Sequence, residues 1–235
     1  MKSSSLLTKS KFLPGSNAFT LAEVLITLGV IGVVAALTIP TLMKNSEKQV
    51  TLAKLKKAIS VISQAYKMSV DDLGEPDDSF NLGGPEYFKQ YWSPYLRVLK
   101  YCNTSGDCGY TSDVPWKYPD GTSTGVAVIY NDYGRTVYTP DGFVYMVRVK
   151  AIGSNPVKSR LVVVDINGSS KPNTYGKDVF FLERNETNGT VQPLGYDKDD
   201  NYVNQNCTKS CCQLTSTCAE KIRRAGWQIM NDYPW

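Results

Sequence analysis

Histidine is absent from this chain, and its absence removes a large block of chemistry. Serine or cysteine nucleophiles that need an imidazole base, and metal centres built on imidazole nitrogens, have nothing to rest on. No phosphate-loop or dinucleotide glycine pattern is present either. Strong charge of one sign is also missing: the formal net charge is +4, and losing Lys2, Lys9 and Lys11 near the start would leave about +1. Global charge therefore gives no reason to expect nucleic acid as a partner. Asp and Glu are scattered through loops, which leaves paired-carboxylate hydrolysis open without selecting a pair. The expectation is a protein that is not an enzyme. Asn-x-Ser/Thr triplets such as Asn188-Gly189-Thr190 are common by chance and carry no weight at this level.

What is present begins with a long apolar run, from Phe19 to Ile39, preceded by a leader with three lysines and no acid. As a helix the run would rise about 31 Å, the thickness of a bilayer's hydrocarbon core. The basic flank belongs on the cytoplasmic side, so the remainder of the chain would lie outside. A secretory signal peptide is the simpler alternative, with Val34-Ala35-Ala36 as its small-residue cleavage site. Against it, the run exceeds the usual signal core, contains Glu23, and continues past Pro40 into a patterned segment. A carboxylate in hydrocarbon costs about 2.5–3.5 kcal/mol on insertion scales unless a partner compensates it.

The stretch Phe19-Thr20-Leu21-Ala22-Glu23, followed by Val24-Leu25-Ile26-Thr27-Leu28-Gly29-Val30-Ile31-Gly32 and by Pro40, resembles the N-terminal motif of type IV pilins and type II secretion pseudopilins. The resemblance implies cleavage between Ala18 and Phe19 by a prepilin peptidase, which also N-methylates the new Phe19 amine. That family usually has glycine before the cut; Ala18 stands here and is small enough to be tolerated. It further implies that Glu23 serves assembly, neutralising the Phe19 amine of a neighbouring subunit as two buried charges meet. The implied partners are the peptidase, other pilin-like subunits, an inner-membrane assembly platform and membrane lipid. A head of about 165 residues after Val70, with six cysteines, fits a specialised or minor subunit. The alternative within the same family is a filament-tip adhesin or DNA-uptake subunit; outside it, an anchored exported hydrolase.

The expected division is a leader at 1–18, a membrane and assembly helix at 19–42, an amphipathic continuation at 43–73 and a globular head at 74–235. Leu52, Leu55, Ile59, Ile62, Tyr66 and Leu73 follow mostly three- and four-residue spacing between lysines, which predicts a helix to about Val70. Pro40 should kink or loosen it, and Gly29 and Gly32 mark a point of close packing or flexibility. The segment Gly74-Glu75-Pro76-Asp77-Asp78 ends it. Tyr87, Phe88, Tyr91, Trp92 and Tyr95 could form a stacking platform for sugars or bases; core packing is the expectation. Strands are predicted at Val126–Tyr130, Arg135–Thr139, Phe143–Lys150, Arg160–Ile166 and Val179–Glu183, with turns at 131–134 and Asp141-Gly142. The fold class is thus α+β, a long helix packed on a small antiparallel meander of four or five strands, with a disulfide-tied C-terminal region.

The cysteines are Cys102, Cys108, Cys207, Cys211, Cys212 and Cys218, an even number that reads as disulfides in an exported head. The short turn-rich loop predicts Cys102–Cys108. Adjacent Cys211 and Cys212 are poor partners for each other, so Cys207 and Cys218 are expected to pair with them in an open order. A zinc site from these last four is the alternative. Asp165, Asn167 and Asp178 offer hard oxygens for calcium, as some heads of the resembled family do, and Asp197, Asp199, Asp200 and Asn201 offer a second set. Neither completes an EF-hand, since Ser170 or Tyr202 stands at position six and Gly176 or Thr208 at position twelve. The simpler expectation is an Asx-rich turn capped by its own side chains. A short helix is predicted from about Thr215 to Arg224. Its Lys221, Arg223 and Arg224 form a patch that could meet DNA or an acidic partner, and that as solvated charges needs none.

Overall fold

A computed structural model describes residues 19–74, 84–126, 134–148, 160–185, 187–210 and 216–235. The leader at 1–18 with Ala18, residues 75–78 of the predicted helix end, Cys211, Cys212, and most of both the strand predicted at 126–130 and the turn at 131–134 lie outside the described residues. The chain divides into two compact units, one up to Ser46 and one from Glu47 to Trp235.

Helix α1 spans Leu21–Leu73 and runs unbroken through Pro40, whose missing N–H withholds a hydrogen bond from the preceding turn. In the first unit its apolar side chains, including Leu25, Ile26, Val30, Ile31 and Leu37, are exposed, and a Cβ added at Gly29 or Gly32 would meet nothing within 4 Å. This part of α1 is long and apolar enough to cross a membrane.

In the second unit the same helix changes character. Thr51, Leu52, Leu55, Ala58, Ile62, Ala65, Tyr66 and Ser69 are buried, a stripe at the three- and four-residue spacing of one helix face. Ile59 is half-buried and Leu73 is exposed, so the stripe stops short of the predicted last position. The helix closes at Gly74, whose φ of 77° lets its N–H return to the Val70 carbonyl at 2.9 Å.

The stripe lies on a six-stranded antiparallel sheet in simple sequential order. Its strands are β1 Lys100–Cys102, β2 Gly134–Tyr138, β3 Val144–Arg148, β4 Leu161–Asp165, β5 Val179–Asn185 and β6 Thr190–Pro193. Four strands of the expected meander are present as β2 to β5, and edge strands β1 and β6 are added. One face presents Val137, Tyr145, Val147, Val162, Val164, Phe180, Leu182 and Val191 to the core that contains α1. The other packs Met146, Leu161, Val163, Val179 and Phe181 under Trp116 and Tyr175. Because both faces are covered, Leu161 to Val164 of β4 and Val179 to Leu182 of β5 read as continuous apolar runs without polar alternation, and the charged and polar residues fall at the strand ends.

Polar contacts fix the helix on the sheet. The Tyr145 hydroxyl donates to the Ala58 carbonyl at 3.0 Å, and the Val191 N–H donates to Ser63 Oγ at 3.1 Å. Lys57 pairs with Asp141 at 2.8 Å, an exposed contact worth under about 1 kcal/mol. Helix α2, Gly84–Tyr91, buries Tyr87, Phe88 and Tyr91 beside Trp92, so the aromatic cluster is core and no open platform. Arg184 of β5 donates to the Tyr87 hydroxyl at 2.8 Å and lies near the Tyr66 ring.

Helices α3, Asp200–Gln205, and α4, Cys218–Arg224, follow the sheet. The aromatic end returns to the core: the Tyr233 hydroxyl donates to the Gly176 carbonyl at 2.6 Å, and Lys48 and Lys56 sit against the rings of Trp235 and Trp227. Gly176 has φ 79°, and a Cβ there would come within 2.9 Å of the Tyr233 hydroxyl and 3.2 Å of Cys218 Sγ, so a side chain would force the tail away.

If α1 serves two environments, substitutions along it should differ sharply. Leu55→Ala should lower the stability of the folded second unit by about 2–5 kcal/mol, whereas exposed Leu37→Ala should change it by less than about 0.5 kcal/mol. Denaturant melts of the full chain in detergent, followed by tryptophan fluorescence, check both.

Candidate functional site

The residues singled out from sequence fall in three places. The first is the start of α1. The Thr20 N–H and hydroxyl both reach Glu23 Oε2 at 2.9 Å, and the Glu23 N–H reaches Thr20 Oγ1 at 3.2 Å. This reciprocal arrangement is a capping box, in which the i and i+3 side chains satisfy N–H groups orphaned by the helix start. Its sequence signal, Thr-x-x-Glu before an apolar run, lies inside the motif already singled out and rests on the spacing of Thr20 and Glu23 rather than on the acid's charge. Glu23 thus has a local partner set of its own, and its carboxylate favours the positive end of the helix dipole. Phe19 stands just outside the helix, 86% exposed.

The second place is the connection from β4 to β5, which brings together the side chains expected as calcium ligands. Asp165 ends β4, and its Oδ2 accepts from the Tyr110 hydroxyl at 2.8 Å. Asp178 Oδ2 accepts from the Asn173 N–H at 2.7 Å and from Asn167 Nδ2 at 3.2 Å, and its Oδ1 accepts from the Thr174 N–H. The Asn167 N–H turns to Asp165 Oδ1 at 3.3 Å. These carboxylates therefore face N–H and O–H donors rather than forming a ring of free oxygens. Among the described residues no three His, Cys, Asp or Glu side chains converge as a metal-binding group. The second acidic set is also dispersed: Asp199 caps α3 at the Tyr202 N–H, Asp200 pairs with Arg224, and Asp197 pairs with Lys198.

Burial has an electrostatic consequence here. Asp165 and Asp178 are almost fully covered. Desolvation pushes the Asp165 carboxyl well up, with the charge of Asp178 adding to it. Asp178 rises to about 6 through burial, against the pull of the N–H groups of Thr174 and Asn173. The pair thus holds the loop through hydrogen bonds whose strength depends on its protonation.

The third place is the C-terminal region. Cys102 and Cys108 are joined as expected, but Cys207 is bonded directly to Cys218. That overturns the expected pairing of both with Cys211 and Cys212, and it removes Cys207 and Cys218 as thiolate ligands for zinc. The physical reason is tertiary: α3 and α4 pack side by side and bring these two Cα atoms to 4.8 Å, inside the range a disulfide needs. The adjacent basic residues are not a free patch. Arg223 donates twice to the buried Glu220 at 2.7 Å, while Arg224 donates to Glu220 at 2.6 Å, to Asp200 at 2.6 Å and to the Lys198 carbonyl at 2.6 Å. Lys221 pairs with Asp232 at 2.7 Å. The set clamps α4 to α3 and to the preceding loop.

Two outcomes follow. Asp178 has a raised folded value, so the folded state binds more protons than the unfolded one, where an aspartate titrates near 3.9. Its contribution is fully present below about pH 4 and is lost as pH rises through about 6. Asp178→Asn should therefore cost about 1–3 kcal/mol at low pH, and that deficit should shrink between pH about 4 and about 6; urea melts across pH read it. Replacing Glu220 by Ala removes the buried acceptor of two partly exposed arginines and should cost about 1–3 kcal/mol, readable as a lowered denaturant midpoint.

Comparison with known proteins adds a family and no function. Neither the curated proteins nor the solved structures give a match. A family model covers the amphipathic half of α1 and everything after it, leaving out Phe19 and Glu23. Described as a family of unknown function (DUF6613), it matches residues 41–235, and the chain belongs to that family.

Proposed function

We propose that this chain is a pilin-like structural subunit, a pseudopilin or minor pilin. In this reading it is held in the inner membrane by the first part of α1, with its head outside the cytoplasm, and assembles into a filament of the type II secretion or type IV pilus kind. The observation that carries the reading is the placement of Glu23 in the first turn of an exposed apolar helix, four residues after Phe19. Cleavage after Ala18 by a prepilin peptidase would free the Phe19 amine, and N-methylation would keep it cationic. Thr20 supplies two hydrogen bonds to one oxygen of Glu23, so the carboxylate is pre-oriented, and its other oxygen, which takes no hydrogen bond from the described residues, would meet the amine of a neighbouring copy. Pairing two charges that are each costly in hydrocarbon would couple docking to their neutralisation.

The reading also holds that the head is a structural body without catalysis of its own. The lack of histidine supports this, as do the buried aromatics of α2 and the carboxylate partners of Lys221, Arg223 and Arg224. The buried aromatics and the carboxylate partners also weigh against a tip subunit that reads sugar or DNA through those residues.

Mass spectrometry of the mature protein should find N-methylated Phe19 as its first residue; an intact Met1 or a start after Ala36 overturns the proposal. Glu23→Gln separates capping from charge, because glutamine also completes a capping box. The variant should insert and be processed normally yet enter filaments about 10-fold less or worse, the effect of about 1.4 kcal/mol. Incorporation at the unmodified level, measured in sheared filament fractions, removes the charge pair from the assembly step.

A further inference from the structure

The triplets Asn103-Thr104-Ser105, Asn167-Gly168-Ser169, Asn185-Glu186-Thr187, Asn188-Gly189-Thr190 and Asn206-Cys207-Thr208 all have the form of an N-glycosylation acceptor. Sequence gives no means of ranking them. The fold does, because an acceptor must present a free amide nitrogen on an accessible loop, with the third-residue hydroxyl directed back to it.

Four of the five fail that requirement. Asn167 Nδ2 is occupied by Asp178 and by the Lys171 carbonyl, and Asn206 Nδ2 donates to the Tyr202 carbonyl at 2.8 Å. Asn185 ends β5 and is 8% exposed. Asn103 is exposed, but Ser105 of its triplet is buried and its hydroxyl donates to the Asp113 carbonyl at 3.2 Å.

Asn188 differs on every count. It is exposed, between β5 and β6. Its Oδ1 accepts from the Thr190 N–H at 3.2 Å and also from the Thr190 hydroxyl. Its Nδ2 donates to none of the described residues. Gly189 holds the turn at φ 62°, a conformation that side chains resist.

We propose that Asn188 is an acceptor for N-linked glycosylation, the donor being an oligosaccharide on a polyprenyl pyrophosphate. In the transfer the sugar C1–O bond to the pyrophosphate breaks and a C1–Nδ2 bond forms. The lipid pyrophosphate leaves with the bonding electron pair, and one Nδ2 proton passes to a base of the transferase. The two hydrogen bonds onto Oδ1 assist, since removing that proton shifts negative charge onto Oδ1, where Thr190 stabilises it. No oxidant or metal of this chain takes part. Occupancy in the cell rests on the reading above, because donor and acceptor meet only if the head is exported.

The test avoids that dependence. The purified full chain in detergent is incubated with a single-subunit bacterial oligosaccharyltransferase and its polyprenyl-pyrophosphate oligosaccharide, then digested and mapped by mass spectrometry. Glycan should appear on the Asn188 peptide at least about 10-fold above the other four, a preference worth about 1.4 kcal/mol. It should vanish in Asn188→Gln and in Thr190→Ala, and persist at reduced level in Thr190→Ser. Unfolding and reducing the chain first should spread modification among the triplets, which separates selection by the fold from selection by local sequence. An unmodified Asn188 alongside a fully converted control peptide, or equal modification of all five in the folded chain, overturns the proposal. A head found inside the cytoplasm would sink the export reading and leave this result standing.

Discussion

Burial of one helix face on one sheet face is the constraint from which the second unit follows. Leu55, Ala58 and Ile62 are wholly covered, and full burial of each large aliphatic side chain is worth about 1.5–3 kcal/mol. A helix face of this kind cannot remain in water, and the sheet that covers it must present an apolar face of matching extent. Val162, Val164, Phe180 and Leu182 supply the middle of that face from the two central strands. The remaining elements then have places assigned to them: α2 fills the aromatic corner beside Tyr66, where its Trp92 neighbour stacks with ring centroids 5.5 Å apart, and the tail from Trp227 to Trp235 closes the rim.

In the polar interior, several buried ionisable side chains are held by named partners. Glu220 takes two arginines, Asp165 takes the Tyr110 hydroxyl, Asp178 takes three N–H donors and Arg184 takes Tyr87. Unpaired, any of these would cost several kcal/mol. Features that read as candidate sites along the chain, an acidic loop and a basic helix, thereby become internal fastenings. What is left facing outward is of another kind: an apolar helix surface in the first unit, a capped acid at its start, and the Asn188 turn.

Much of this was legible in the residues. The helix stripe, four of the six strands in whole or part, the Asp141-Gly142 turn and the Cys102–Cys108 bridge all rest on interactions between residues close in sequence. Strand β1 was missed because three residues cannot display a period, and β6 because the turn before it was weighed only as an acceptor triplet. The capping box is local too, carried by the three-residue spacing of Thr20 and Glu23, although the charge of Glu23 alone does not disclose it. The Cys207–Cys218 bond could not be read, since six cysteines allow many pairings and the packing of α3 on α4 selects among them.

Sequence by itself determined where the chain is apolar enough for a membrane, where helical spacing begins, and that imidazole chemistry is absent. Those properties are local sums over neighbouring residues, and no fold changes them. Only the tertiary structure decided which of five similar asparagines is exposed with its own threonine hydroxyl turned back to it, which cysteines meet, and that Asp165 and Asp178 face donors in a dry interior. Each depends on distances between residues far apart in the chain, which are set when the sheet, the helix face and the returning tail exclude water together.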